Sequence, residues 1–248
     1  MDPALRQHDD SLVSLSSITA AGGFFARMPL FRGVRREILS KFARIATTQR
    51  YERGEHLWHA GDTPVALMLI KSGLVKQTRL APRGRTALCG LFGAPSNLGE
   101  LALIKGIDYP TNTIAASRAV TISIPRSDVM EALQQDPVLC INLFQTVEER
   151  LSLLHDKIDV LSAGTVEARL ALLLLKLYHQ FGDDFDDGQS RIPVPLSRQE
   201  LADLVSTSFE TAIRAASRLE RNGVLTTDAD GFTIHDLTAL QRASGSTA

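Results

Sequence analysis

Cysteine is scarce: the 248 residues include only Cys89 and Cys140. Two thiols cannot build a disulfide framework or an all-cysteine metal cluster. Charge of one sign is lacking too, with 27 Lys+Arg against 28 Asp+Glu and a formal net charge of -1. That balance excludes a polycation that coats nucleic acid, but not a local reading surface. No stretch approaches the roughly 18 to 20 consecutive apolar residues that a spanning helix needs. The opening Met1-Asp2-Pro3-Ala4 lacks the basic-then-apolar layout of a signal peptide, so the expected compartment is the cytoplasm.

Catalytic signatures are missing as well. There is no Gly-rich phosphate loop, nucleophile elbow or zinc spacing, so an enzyme is not expected. His56, His59, Asp62 and Glu100 are the one set imaginable as a metal or acid–base cluster. His56 and His59, three apart in an expected strand, should point to opposite faces. The acidic run Asp183-Asp184-Phe185-Asp186-Asp187-Gly188 lacks EF-hand spacing and a terminal Glu, so it is expected to be a solvated turn without metal.

What is present is globular: 44% hydrophobic and 22% charged residues, at a length suiting one large or two modest domains. Residues 1–23 are rich in Ser, Ala and Asp and are expected to form a flexible tail. From Phe24 to Ala46, Phe31, Val34, Ile38, Leu39, Phe42 and Ile45 recur at helical steps, predicting one or two short helices. From Gln49 to about Pro125 short alternating stretches such as Leu67–Ile70 and Val120–Ile124 are broken by Gly54, Gly61, Gly73, Gly84 and Gly93. Many short strands with glycine turns indicate an antiparallel barrel or roll.

Helix resumes after Asp136-Pro137, because proline suits a first helical position. There Cys140, Phe144, Val147, Leu151, Leu154, Ile158 and Leu161 step alternately by four and three. That heptad seam, flanked by charges, predicts helix pairing across a homodimer rather than an ordinary core-facing stripe. A further apolar helix is expected over Val166–Phe181.

Residues 196 to 236 carry the chemistry. Ser197-Arg198-Gln199-Glu200 has capping-box spacing, followed by the apolar Leu201, Leu204 and Val205. After the polar break Ser206-Thr207-Ser208 a second helix runs from Phe209 to Arg221 and stops at Asn222-Gly223. Two short helices so joined form a helix-turn-helix, and Val224–Thr227 with Phe232–Ile234 should form a hairpin wing. In the second helix Ala212, Ile213, Ala216 and Leu219 should face inward, leaving Glu210, Thr211, Arg214, Ser217, Arg218 and Arg221 outward. In a major groove a carboxylate accepts from cytosine N4 and an arginine donates twice to guanine, which suits Glu210 and Arg214. The bland alternative is an intrahelical Glu210–Arg214 pair worth about 0.3 to 0.5 kcal/mol. From Leu196 to Gly223 four arginines meet four acids, so non-specific affinity should be modest.

The order of roll, long helix and winged helix-turn-helix resembles the cyclic-AMP receptor protein and fumarate–nitrate regulator (Crp/Fnr) family of bacterial transcription factors. The resemblance covers about residues 25 to 238. It rests on Gly54-Glu55 with Gly61-Asp62, Ser72-Gly73, Gly99-Glu100-Leu101, and Leu196–Ala202 with Glu210-Thr211 and Arg214. It implies an α+β fold: an antiparallel β-roll sensor over 24–136, a dimerisation helix over 137–162, and a winged helix-turn-helix DNA-binding domain over 163–248. It also implies a homodimer on a palindromic double-stranded DNA site, with RNA polymerase as a partner. Glu210 and Arg214 match the family's base-reading positions, and Ser197, Arg198, Ser208 and Thr211 match its phosphate-holding ones. Phe209 stands where cyclic-AMP receptors carry a third base-reading arginine. With Gln199 and Arg218 these residues make up the expected DNA-contacting set.

The implied effector pocket comprises Gly99, Glu100, Leu101, Pro110, Thr111, Leu154 and His155. In cyclic-AMP receptors an Arg-Ser pair about ten residues after Gly-Glu holds the cyclic phosphate. Here Pro110-Thr111 replaces it, and Leu154-His155 replaces the Thr-Ser pair that meets adenine. A proline cannot neutralise a buried phosphate, so cyclic AMP is disfavoured and no cofactor is expected. An iron–sulfur sensor needs about four cysteines. The open alternatives are another small effector, haem held by His155 or a methionine, and a regulator set by its abundance or by modification of its Ser/Thr-bearing tail.

Overall fold

A computed structural model describes residues 23–80, 86–185 and 189–245. The expected tail, apart from Gly23, lies outside the described residues.

Two short turns of helix lead in, one of them the 3-10 turn Pro29–Phe31, followed by α1 (Arg36–Ile45), which buries Ile38, Phe42 and Ala43. Eight strands then form a roll: β1 (Thr47–Tyr51), β2 (His56–Trp58), β3 (Ala66–Ser72), β4 (Leu74–Leu80), β5 (Thr86–Gly93), β6 (Ser96–Leu98), β7 (Asn112–Ala115) and β8 (Ala119–Pro125). They pair antiparallel in two sheets, ordered β1-β8-β3-β6 and β2-β7-β4-β5. β8 is packed on both faces near its middle, where the adjacent Thr121 and Ile122 are both buried, with Ala119 and Ile124 buried on either side. At the β3–β4 turn Gly73 has φ +85°, and a Cβ there would lie 2.2 Å from the Arg118 carbonyl. Only glycine closes that corner.

Two helices interrupt this region that its sequence pattern does not announce: α2 (Glu100–Lys105) and α3 (Arg126–Gln135). The second buries only Val129 and Ala132, too narrow a stripe to show as periodicity. The expected start at Pro137 holds for α4 (Pro137–Ser162). Its N-cap Asp136 accepts from the backbone N–H of Val138, and also from that of Arg35 at 2.9 Å. These N–H donors, that of Arg35 first, hold the Asp136 carboxyl below the usual range. At 26 residues α4 is roughly 39 Å long. Buried Asn142 ties it to the lead-in by donating to the carbonyls of Leu30 and Arg32.

Beyond α4 come α5 (Val166–Phe181), β9 (Asp183–Asp184), β10 (Ser190–Ile192), α6 (Arg198–Leu204), α7 (Phe209–Arg221), β11 (Leu225–Asp228), β12 (Gly231–Ile234) and α8 (Leu237–Ala243). The last four strands form one sheet, β11-β12-β10-β9.

Two expectations need correction. The acidic run is not simply a solvated turn: Asp184 sits in β9 and accepts from Tyr178 Oη and Ser190 Oγ, each at 2.7 Å. Residues 186–188 of that run lie outside the described residues. His56 and His59 do not diverge; their rings stack with centroids 4.1 Å apart. β2 ends at Trp58, so His59 lies past the strand and alternation no longer governs it. Among the described residues no group of three His, Cys, Asp or Glu could hold a metal, and no helix is long and apolar enough to cross a membrane.

Candidate nucleic-acid interface and sensor pocket

The helix-turn-helix begins at a complete capping box. Ser197 Oγ accepts from Glu200 N at 3.1 Å, and Glu200 Oε2 accepts from Ser197 N at 2.8 Å. The turn is sharp because Ser206 takes φ 50°, and Ser208 then caps α7 by accepting from Thr211 N. Leu201, Ala202 and Val205 pack inward with Ala212, Ala215, Ala216 and Leu219. Ala215 takes the buried place expected of Ile213, which is only half-buried. The small alanines let the two helices approach.

The outer face is open. Ser197, Arg198, Gln199, Ser208, Phe209, Glu210, Arg214 and Arg218 are exposed and Thr211 is half-buried. No Glu210–Arg214 ion pair forms; Arg214 Nη2 instead takes Thr211 Oγ1 as acceptor at 3.1 Å. Glu210 therefore keeps its acceptors and Arg214 most of its donors for a ligand. Two further members of the set are held by acidic side chains: Gln199 Nε2 donates to Asp203 Oδ1, and Arg218 pairs with Glu167 at 2.8 Å.

Beside α7 stands the β11–β12 wing. Arg191 on β10 grips Asp228 through two parallel hydrogen bonds of 2.6 and 2.7 Å and also donates to Thr233 Oγ1. The Arg191 guanidinium, helped by backbone N–H groups, lowers the Asp228 carboxyl to about 2. The wing tip reaches the roll, where Arg53 Nη1 lies 3.3 Å from the Ala229 carbonyl.

Along α4 the heptad seam is uncovered within one chain. Phe144 is 77% exposed, and Leu151, Leu154 and Ile158 are 51%, 55% and 59% exposed. Leu161 is exposed too, while Cys140 and Val147 are half-buried. Ile141, which the seam did not include, adds to this face.

Five of the expected pocket residues, Gly99, Glu100, Leu101, Pro110 and Thr111, line one cavity of about 220 Å³. Leu154 and His155 do not line it within the chain. Arg150, one turn before Leu154 on the same face of α4, is the α4 residue that enters. Trp58, Gln77, Phe92 and Tyr109 also line it, and no local motif marks them. Trp58 and Tyr109 stack at 4.2 Å, while the Arg150 guanidinium lies 4.2 Å over the Phe92 ring. Arg150 also approaches Glu100 Oε1 at 3.7 Å and donates to the Asn97 carbonyl at 2.6 Å. Glu100 is buried and its Oε2 has no hydrogen-bond partner. Burial, then the nearby Asp62 and Glu100, pushes the Tyr109 phenol up to about 12, so it stays protonated. The cavity thus offers a hydrogen-bond acceptor and an aromatic wall. Its one cation, Arg150, is already engaged.

Comparison with known proteins accounts for both halves. Residues 48–136 match the profile described as Cyclic nucleotide-binding domain, and residues 168–243 match the Crp-like helix-turn-helix domain. The CRP-like cAMP-activated global transcriptional regulator of Mycobacterium tuberculosis is 25% identical over 217 residues, covering 88% of this chain and 96% of that protein. Cyclic AMP receptor protein of Thermus thermophilus is 27% identical over 198 residues, 79% of this chain and 88% of its own. The crystal structure of a CRP-family transcriptional regulator from Thermus thermophilus superposes with a TM-score of 0.65. It is 26% identical and covers 80% of this chain and 97% of that one.

Proposed function

The chain belongs to the Crp/Fnr family of transcription regulators, and we propose that it reads a palindromic DNA site as a homodimer. It is a DNA-binding regulator and not an enzyme. The observation that carries the reading is the free N-terminal face of α7, where Glu210 and Arg214 are exposed and unpaired with each other. Phosphate contacts from Ser197, Arg198, Ser208 and Thr211 set register, and the two α7 side chains read base edges. Two copies joined along the α4 seam present two such faces, and contact with RNA polymerase converts binding into regulation. Such a regulator works where the bacterial chromosome lies, in the cytoplasm.

Cyclic AMP is not the effector in this reading. Pro110 stands in the cavity wall without a charge, and Arg150 is already committed to Glu100 and Asn97. A buried phosphate would lack its counter-charge. The unpartnered Glu100 Oε2 favours a different small effector that brings a hydrogen-bond donor.

The test is DNA affinity of the purified protein on duplexes selected from a random pool, titrated with and without cyclic AMP. Tight binding to a palindrome without a nucleotide effect supports both parts. A large gain with cyclic AMP overturns the effector reading, and no selected sequence overturns the function.

A further inference from the structure

One side chain in the first turn of α7 is neither buried nor polar: Phe209. By spacing it continues the buried stripe, three residues before Ala212 and seven before Ala216, yet it is 42% exposed. That turn stands clear of the core, with Ser208, Phe209 and Glu210 all exposed. Phe209 does not join the cluster that Ala215, Ala216 and Leu219 enter. Among the described residues from 196 to 236 it is the only exposed large hydrophobic side chain. We propose that Phe209 determines specificity by reading the C5-methyl group of one thymine in each half-site. This rests on the DNA reading given above and adds to it a third reader of different chemistry.

The position of Phe209 aims it at DNA. Helical side chains tilt toward the N-terminus, so a residue at the first helical position projects past the end of the helix. Phe209 holds that position in α7, between the capping Ser208 and Glu210. A reading helix meets base edges with its N-terminal residues, so Phe209 enters the groove together with Glu210.

Its chemistry selects the base. The major-groove edges of the base pairs carry hydrogen-bond donors and acceptors and one apolar group, the thymine methyl. Phenylalanine offers neither donor nor acceptor. Set against a G·C edge, its ring would strip water from polar atoms and return no hydrogen bond. Set against a thymine methyl, it removes two apolar surfaces from water at once. The same side chain therefore favours an A·T pair at its position and penalises a G·C pair.

The experiment uses the full chain and the palindrome selected from a random pool. Each thymine is replaced in turn, symmetrically in both half-sites, by 2′-deoxyuridine, which keeps base pairing and removes only the methyl group. Burial of one methyl group is worth roughly fourfold in an equilibrium constant. At one thymine position the exchange should weaken binding by about tenfold to twentyfold over both half-sites. Phe209→Ala should bind the parent site more weakly and be indifferent to deoxyuridine at that position.

Deoxyuridine without effect at every thymine overturns the proposal with the unaltered protein, so that outcome depends on no variant. If every deoxyuridine effect persists undiminished in Phe209→Ala, another residue reads the methyl group and the assignment falls. A selected palindrome without thymine in its half-sites overturns it as well. All three outcomes leave DNA reading intact. Failure to select any sequence overturns DNA reading itself, and this proposal with it.

Discussion

Lys76 Nζ on β4 lies 2.6 Å from Glu200 Oε1 on α6, joining the roll to the DNA-reading domain across 124 residues of sequence. The same carboxylate closes the capping box on Ser197 N, so the group that starts the helix-turn-helix is also the one the roll holds. The two side chains are only 22% and 18% exposed, which keeps solvent from screening the pair fully.

Burial alone would raise the Glu200 carboxyl, but Lys76 and Ser197 outweigh it and hold it below the usual carboxylate range. A group depressed in the folded state contributes stability above its unfolded pKa, and that contribution fades as pH falls through the folded value. Lys76→Met should therefore lower stability at pH 7 by roughly 1 to 3 kcal/mol, with the deficit shrinking in acid. Urea denaturation at pH 7 and pH 3 checks this; an equal deficit at both would mean the ion pair contributes nothing.

Arg214→Ala should cost about 1 to 3 kcal/mol at the selected site and relax preference at one base pair. Arg198→Ala should instead weaken all sequences alike and reduce the salt slope by about 1. Binding titrations over a panel of single-base variants at several salt concentrations separate the two roles.

Leu151→Lys with Leu154→Lys places charge in the exposed seam of α4. The double variant should sediment as a monomer and bind the palindrome far more weakly while retaining its helical content. An unchanged sedimentation coefficient would remove the seam as the dimer interface.

Asp228→Asn should loosen the wing. With the Asp228 carboxyl held at about 2 by Arg191, the clamp is fully present above roughly pH 4 and is lost as pH falls through about 2. Amide exchange of β11 and β12 is expected to speed up in the variant at neutral pH. In the parent protein the same rise should come only in strong acid.

Gly99 has φ +73°, and a Cβ there would lie 2.6 Å from the Tyr109 ring. Gly99→Ala should cost about 1 to 3 kcal/mol in backbone strain and push Tyr109 off Trp58. Trp58 is the protein's sole tryptophan, so its fluorescence reports the displacement directly. Emission identical to that of the parent would show that the stack tolerates the methyl group.

Local rules made much of the molecule legible. The capping box at Ser197, the stop at Asn222-Gly223 and the start at Pro137 depend on backbone groups within a few residues, and all three stand where expected. The seam of α4 was legible for the same reason, since a helix puts every third and fourth residue on one face. Legibility failed where an element is short or its burial is supplied from far away. α2 and α3 bury few residues each, and β7 holds Thr113, a polar residue, fully inside. His56 and His59 were misplaced because one residue past a strand end is enough to cancel alternation.

The sequence by itself determined the order of roll, long helix and helix-turn-helix, the outward Glu210 and Arg214 on α7 and the apolar stripe on α4, because periodicity and capping act within a few turns of chain. Only the tertiary structure decided that Arg150, not Leu154 or His155, enters the cavity beside Glu100 within the chain, that Trp58 meets Tyr109, and that Lys76 holds Glu200. Those contacts join residues tens to more than a hundred positions apart. Which side chains meet there is set by how the roll, α4 and the reading domain pack together, and no local pattern encodes that packing.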